Sequence, residues 1–150
     1  MSKIAIYPGS FNPFHRGHFN ILLKAEAIFD KVIIARGVNP EKAAGNPNHF
    51  SWELPEAIGD RTLVLYNGLL TDCIESVAAE YGSNPTVIRG LRNSVDLQYE
   101  MNQYRYLQDL KPDIKMVSIF CDKEFEHISS SGIRLLSKYG EEKIKNYLVE

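Results

Sequence analysis

The sequence contains no apolar run near the roughly 20 residues a bilayer-spanning helix needs. Its first residues, Met1, Ser2 and Lys3, lead straight into a strand-like stretch with no secretory pattern. A membrane protein is thereby excluded as a reading, and the cytoplasm is the expected compartment. Cysteine is scarce: Cys73 and Cys121 are the only two, and they stand far apart without CxxC or metal-ligand spacing. They read as small buried hydrophobes with no chemistry of their own. Charge of one sign is missing too. Lys and Arg number 17 against 19 Asp and Glu, a formal charge of -2, so no broad basic surface recommends nucleic acid as a partner. Any positive charge that matters must be local. Repeats, low-complexity tracts and linkers are absent, so residues 1–150 are expected to form a single domain.

What is present is the balance of a globular chain, 44% apolar and 24% charged. Short apolar runs alternate with longer amphipathic ones, the pattern of repeated βαβ units. Strands are expected at Lys3 to Tyr7, Lys31 to Ala35, Thr62 to Tyr66, Thr86 to Ile88 and Lys115 to Phe120, each rich in residues suited to burial on both faces. Helical periodicity covers Gly17 to Phe29, Leu69 to Tyr81 and Val95 to Leu110, and two further helices are expected at Ser129 to Tyr139 and Glu141 to Leu148. Gly82, Pro112 and Gly140 mark helix ends. Gly37 to Pro55 carries too many Gly, Pro and Asn residues for a long element and reads as a surface loop with one short helical turn. The expected class is α/β, a Rossmann-like, doubly wound, five-stranded parallel sheet with helices on both faces. In such sheets ligands bind beyond the carboxyl ends of the strands, where strand order reverses.

Three strings that can hold an anion follow strands. After the first comes GSFNPFHRGH: Gly9 permits close backbone approach, Ser10 offers a hydroxyl, and Gly17 with His18 opens a helix whose N–H groups and positive dipole end suit phosphate. His15 and His18, three positions apart, can share one side of that helix mouth. Their ordinary pKa near ~6.5 would be raised by a bound polyphosphate. After the fourth strand come Arg89, Gly90, Leu91 and Arg92, two arginines on a glycine hinge that suggest a phosphate clamp, followed by Asp96, Tyr99 and Glu100. After the last strand stands ISSSGIR, where one serine suffices to cap a helix and three hydroxyls exceed that need. No third ligand accompanies the histidines at metal spacing, so no metal residue is assigned.

The first string resembles the HxGH signature of a nucleotidyltransferase superfamily, and ISSSGIR is similar to the superfamily's triphosphate-holding segment. RGLRNSVDLQYE, together with AIYPGSFNPFHRGH, resembles the pantetheine-phosphate adenylyltransferases over most of the chain. The resemblance implies transfer of AMP from ATP, with Mg2+, to 4'-phosphopantetheine, giving dephospho-coenzyme A and pyrophosphate without a covalent enzyme intermediate. It implies catalysis by His18, His15, Lys42 and Arg92. ATP would be held by Ser10, Phe11, His18, Gly90, Leu91, Arg92, Glu100 and the run Phe125, Glu126, His127, Ile128, Ser129, Ser130, Ser131. The acceptor would meet Ser10, Lys42, Leu70 and Arg89. The family also implies a hexamer.

The chain departs from the family pattern in places. Asn12 replaces the common aspartate, removing a negative charge near the phosphates, and Pro55 interrupts a segment that normally starts a helix. Met101 to Tyr106 gives the acceptor wall bulkier and more polar residues. The alternatives are the same chemistry on nicotinamide or nicotinate mononucleotide, a cytidylyl transfer, or a nucleotide-binding module without turnover.

Overall fold

A computed structural model describes residues 3–38 and 52–150. Five strands, β1 (Ile4–Gly9), β2 (Lys31–Gly37), β3 (Leu63–Tyr66), β4 (Thr86–Leu91) and β5 (Lys115–Phe120), form one sheet in the order β3-β2-β1-β4-β5. Every pairing is parallel, with Ile6 opposite both Ile33 and Val87. The helices among the described residues are α1 (Arg16–Glu26), α2 (Leu70–Tyr81), α3 (Ser94–Leu110) and α4 (Ser130–Ser137).

The alternation of side chains along each strand explains why the central runs are continuously apolar. Ala5, Tyr7, Val32, Ile34 and Ile88 face a core shared with Ile21, Leu22 and Ala25 of α1. Their neighbours Ile4, Ile6, Ile33, Ala35 and Val87 face the opposite layer, where Cys73, Ile74 and Val77 of α2 pack with Tyr104 and Leu107 of α3. Ile6, Ile33, Ile34 and Ile88 are fully buried, each contributing roughly 2 kcal/mol of apolar burial. Strand order runs outward in both directions from β1, so the crevice that this topology favours for a ligand opens at the carboxyl ends of β1 and β4.

Several expectations need correction. The edge strands β3 and β5 are not buried on both faces, since the packed layers cover the sheet's margins less fully than its centre; Leu65 and Phe120 are exposed. Strand β4 runs on to Leu91, so Arg89, Gly90 and Leu91 lie within the strand and only Arg92 follows it. The expected helix at Glu141 to Leu148 is instead two single 3-10 turns, Glu141–Lys143 and Lys145–Tyr147. What the segment buries is Ile144, which joins Ile128 and Ile133 in a small satellite cluster, and one anchored residue does not require a regular helix. Gly82 ends α2 in the left-handed region at φ 74°, as expected of a residue without a Cβ. The loop expected at Gly37 to Pro55 falls mostly on residues 39–51, outside the described residues; beyond it a 3-10 turn spans Glu56–Ile58.

Candidate active site

The first strand ends in a turn that depends on a glycine at its tip. A Cβ on Gly9 would stand 2.8 Å from the Phe11 ring, so glycine is what lets that ring fold back over the strand end. Phe11 itself has a positive φ of 49°, a conformation costing a bulky residue on the order of 1 kcal/mol or more. Its ring offsets this by contacts with Tyr7, Phe14 and His18, at centroid distances of 5.2, 5.2 and 5.0 Å. Asn12 is buried, and its Oδ1 accepts the Trp52 N–H at 2.7 Å. The amide that replaces the family's common aspartate thus holds backbone.

The two histidines do something the sequence did not disclose: they cap the helix they precede. His15 is the N-cap of α1, and its Nδ1 accepts the N–H groups of Gly17 at 3.0 Å and of His18 at 3.4 Å. In return the His18 Nδ1 accepts the His15 N–H at 3.1 Å, an imidazole version of the reciprocal capping box. The expectation that the helix mouth offers its first N–H groups freely to a phosphate is therefore corrected, since His15 already occupies two of them. The caps also fix the tautomers. With each Nδ1 accepting, the proton of each neutral ring sits on Nε2, leaving two stacked imidazoles, 3.7 Å apart, each with one donor.

Burial, followed by the nearby Arg92 charge, lowers the His15 pKa to about 4. Burial again dominates for His18, held well below the ordinary value, with His15, Arg92 and Arg89 adding to the effect. Both rings are neutral near pH 7. Because the folded pKa lies below the unfolded one, the unfolded chain binds more protons between the two. The stabilisation is complete above pH ~6.5 and drains away as pH falls toward about 4. Urea unfolding at pH 7 and pH 5 should show a loss on acidification that shrinks in His15→Asn, whose amide oxygen can still cap the helix but does not titrate.

The arginines after and within β4 are both preset by carboxylates. Arg89 grips Glu100 through Nε at 2.8 Å and through its second terminal nitrogen at 2.9 Å, and donates to the Pro8 carbonyl at 3.1 Å. Arg92 grips Asp96 at 2.9 and 3.0 Å and donates to the Ile128 carbonyl at 3.3 Å. Each guanidinium has five N–H donors, so three are committed and two remain for a ligand. Gly90 lies between them, where an added Cβ would meet Ile21 of α1 at 2.8 Å. Gly90→Ala should lower stability by about 1–3 kcal/mol through overpacking, read as a drop in melting temperature.

The three serines divide their work. Ser129 caps α4, its Oγ accepting the Gly132 N–H at 3.0 Å, while Ser130 donates to the Pro13 carbonyl at 2.9 Å and so binds the third string to the first. Arg134 of the same helix donates to the Asn12 carbonyl at 2.6 Å. The C-terminal segment adds an antiparallel bridge between Leu148 and His15.

These contacts enclose a cleft of about 390 Å3. From the expected set it brings together Ser10, Phe11, His15, His18, Arg89, Gly90, Leu91, Arg92, Glu100, Phe125, Ile128, Ser129 and Ser130. Other expected residues do not line it. Ser131 is exposed beside Ser129, Glu126 lies outside the lining, and the His127 ring packs edge-on to Tyr147 at 6.0 Å. Leu70 starts α2 and packs into the core on the opposite face of the sheet from α1. Lys42 lies outside the described residues. Asp96 and Tyr99, which follow the arginines in the third string, also line the cleft, and so do Tyr7, Pro8, Ile21 and Cys121, which no motif singled out. Cys121 directly follows β5, so its place just beyond a strand was the signal for it.

This fold and site define a class. A model of the cytidylyltransferase-like family matches residues 6–136, and the chain belongs to that family. Among its relatives, a phosphopantetheine adenylyltransferase from Mycoplasma capricolum is 36% identical over 91% of this chain and 98% of its own length. Another, from Streptococcus pneumoniae, is 34% identical over 93% of this chain and 86% of its own. Among solved structures, one from Vibrio parahaemolyticus, given provisionally as a nicotinate-nucleotide adenylyltransferase, has a TM-score of 0.67 at 19% identity, covering 100% of this chain and 95% of that one. A bifunctional NMN adenylyltransferase/ADP ribose pyrophosphatase from Francisella tularensis reaches 0.54 at 16% identity, over 93% of this chain and 42% of that one. At those identities the solved structures speak for the fold. No described helix is long and apolar enough to cross a membrane.

Proposed function

We propose that the protein transfers AMP from ATP to 4'-phosphopantetheine, releasing pyrophosphate and giving dephospho-coenzyme A. The observation that carries this is the convergence of His18, Arg92 and Ser130, from three distant segments, on one cleft at the strand-order switch. An acceptor phosphate oxygen attacks the α-phosphorus of ATP; the new P–O bond forms as the bond to pyrophosphate breaks, and no group of the protein becomes covalently bound. Charge develops on the α-phosphate oxygens, and the His18 Nε2–H is a donor held rigid by the cap on its other nitrogen. A neutral donor is already in the required protonation state at pH 7, and its orientation costs nothing at the moment of reaction. The uncommitted N–H groups of Arg92 hold the polyphosphate, with the Ser129–Ser130 turn beside them. The resemblance assigns Ser10, Arg89 and Lys42 to the acceptor, and Ser10 and Arg89 line the cleft.

Magnesium enters as part of the ATP complex. Among the described residues no group of three or more His, Cys, Asp or Glu side chains could hold an ion, and Asp96 and Glu100 are engaged by arginines. The phosphates and water can supply the oxygen ligands that Mg2+ prefers. A hexamer, and the cytoplasm as compartment, belong to the same proposal. Val95, Tyr106 and Phe120 are large apolar side chains left exposed on one chain, which supports assembly; light scattering of the purified protein would measure it.

The test is pyrophosphate release from MgATP with 4'-phosphopantetheine, nicotinamide mononucleotide or nicotinate mononucleotide, and from MgCTP with each. Turnover only with ATP and 4'-phosphopantetheine is the expected result. Release with a pyridine mononucleotide and none with 4'-phosphopantetheine would overturn the acceptor assignment.

A further inference from the structure

One arginine beside the cleft belongs to no motif. Arg36 lies near the end of β2, half-buried. The ion pairs among the described residues use Lys24, Arg61, Arg89, Arg92 and Lys111, not Arg36. Taking a cation out of water without a counter-charge is costly, and here the compensation comes entirely from backbone oxygens. The Arg36 Nε donates to the Ser10 carbonyl at 3.0 Å, and one terminal nitrogen donates to the carbonyls of Phe11, at 3.2 Å, and of Trp52. Arg36 does not line the cleft, whereas Ser10 and Phe11 do.

The choice of acceptors is informative. The Ser10 and Phe11 carbonyls belong to the two peptide planes flanking the Phe11 Cα, and a residue's φ and ψ are the rotations between those planes. A planar fork that holds both oxygens therefore holds Phe11 at its φ of 49°. In a trans peptide the N–H points opposite to the preceding carbonyl, so drawing the Ser10 oxygen toward Arg36 turns the Phe11 N–H the other way. The same conformation seats the Phe11 ring edge-on against His18 at 5.0 Å.

We propose that Arg36 is a positioning residue for nucleotide binding and transfer, clamping the two peptides around Phe11 so that the loop of Ser10 and the ring of His18 are preset for a polyphosphate. The inference rests on the proposed function for its kinetic arm; its binding arm needs only that the cleft takes MgATP.

Arg36→Met keeps the apolar stem and removes every donor, and Arg36→Lys keeps the charge but replaces the fork with a single ammonium. Calorimetry with MgATP and pyrophosphate-release kinetics with MgATP and 4'-phosphopantetheine are measured on both variants, below their melting temperatures. Losing two charge-assisted bonds to the loop should weaken MgATP binding about 10-fold and lower kcat by about 10-fold or more in Arg36→Met, with Arg36→Lys recovering only part. A purely structural arginine would lower the melting temperature and leave kcat and MgATP affinity within about threefold of wild type, inside the range of one weak hydrogen bond; that result overturns the proposal. Should Arg36→Met fail to fold, Arg36→Lys decides by the same two quantities. A wild-type protein that binds MgATP but does not turn over 4'-phosphopantetheine sinks the proposed function alone, and the MgATP affinities of the variants still decide the role of Arg36.

Discussion

His18→Ala should lower kcat by about 10²–10³-fold, the usual effect of removing one preorganised donor from a developing oxyanion. Its dissociation constant for MgATP should change by only a few-fold, because the contact strengthens when charge accumulates on phosphorus and contributes little before then. The substitution also removes the Nδ1 that accepts the His15 N–H, leaving half of the reciprocal cap. A stability loss of about 1 kcal/mol and a melting temperature lower by a few degrees accompany it. Kinetics are therefore compared well below both melting points. An equal loss in kcat and in MgATP affinity would show that His18 is a binding group and has no special role in transfer.

Arg92→Ala has a different signature. The side chain binds a polyphosphate and also neutralises Asp96, to which it is joined by two side-chain bonds. Its removal deletes a phosphate donor and leaves a partly buried carboxylate facing the same anion. The KM for MgATP should rise by about 10²-fold, combining the lost charge-assisted contact with the new repulsion. The double variant Arg92→Ala/Asp96→Asn should regain part of the affinity, since the neutral amide no longer repels phosphate. Absence of any recovery would mean that the preset ion pair plays no electrostatic part in nucleotide binding.

The central strands were legible because burial on both faces demands unbroken apolar runs, as in Ile4 to Tyr7 and Val32 to Ala35. The same logic overstated the edges, where β3 and β5 keep β-forming residues although the packed layers cover them less fully. The last segment misled for a related reason. Ile144, Tyr147 and Leu148 have helical spacing, yet they reach their small cluster from two separate tight turns. Of the site, the types of residue were readable and their working atoms were not. Nothing in HRGH discloses that each imidazole spends Nδ1 on a backbone N–H, nor in RGLRNSVDLQYE that Asp96 and Glu100 are the partners of its arginines. Arg36 was invisible, because a lone arginine at the end of an apolar strand has no pattern around it.

The order of residues alone determined the alternation of buried strands and amphipathic helices, and placed hydroxyls, imidazoles and guanidiniums at or just beyond strand ends. Those are local consequences of periodicity, glycine freedom and side-chain chemistry. Only the tertiary structure decided that the three strings share one cleft. Parallel pairing seats β4 directly against β1 although β2 and β3 intervene in the chain, and that neighbourhood is fixed by the packing of both sheet faces, which no local stretch of sequence records.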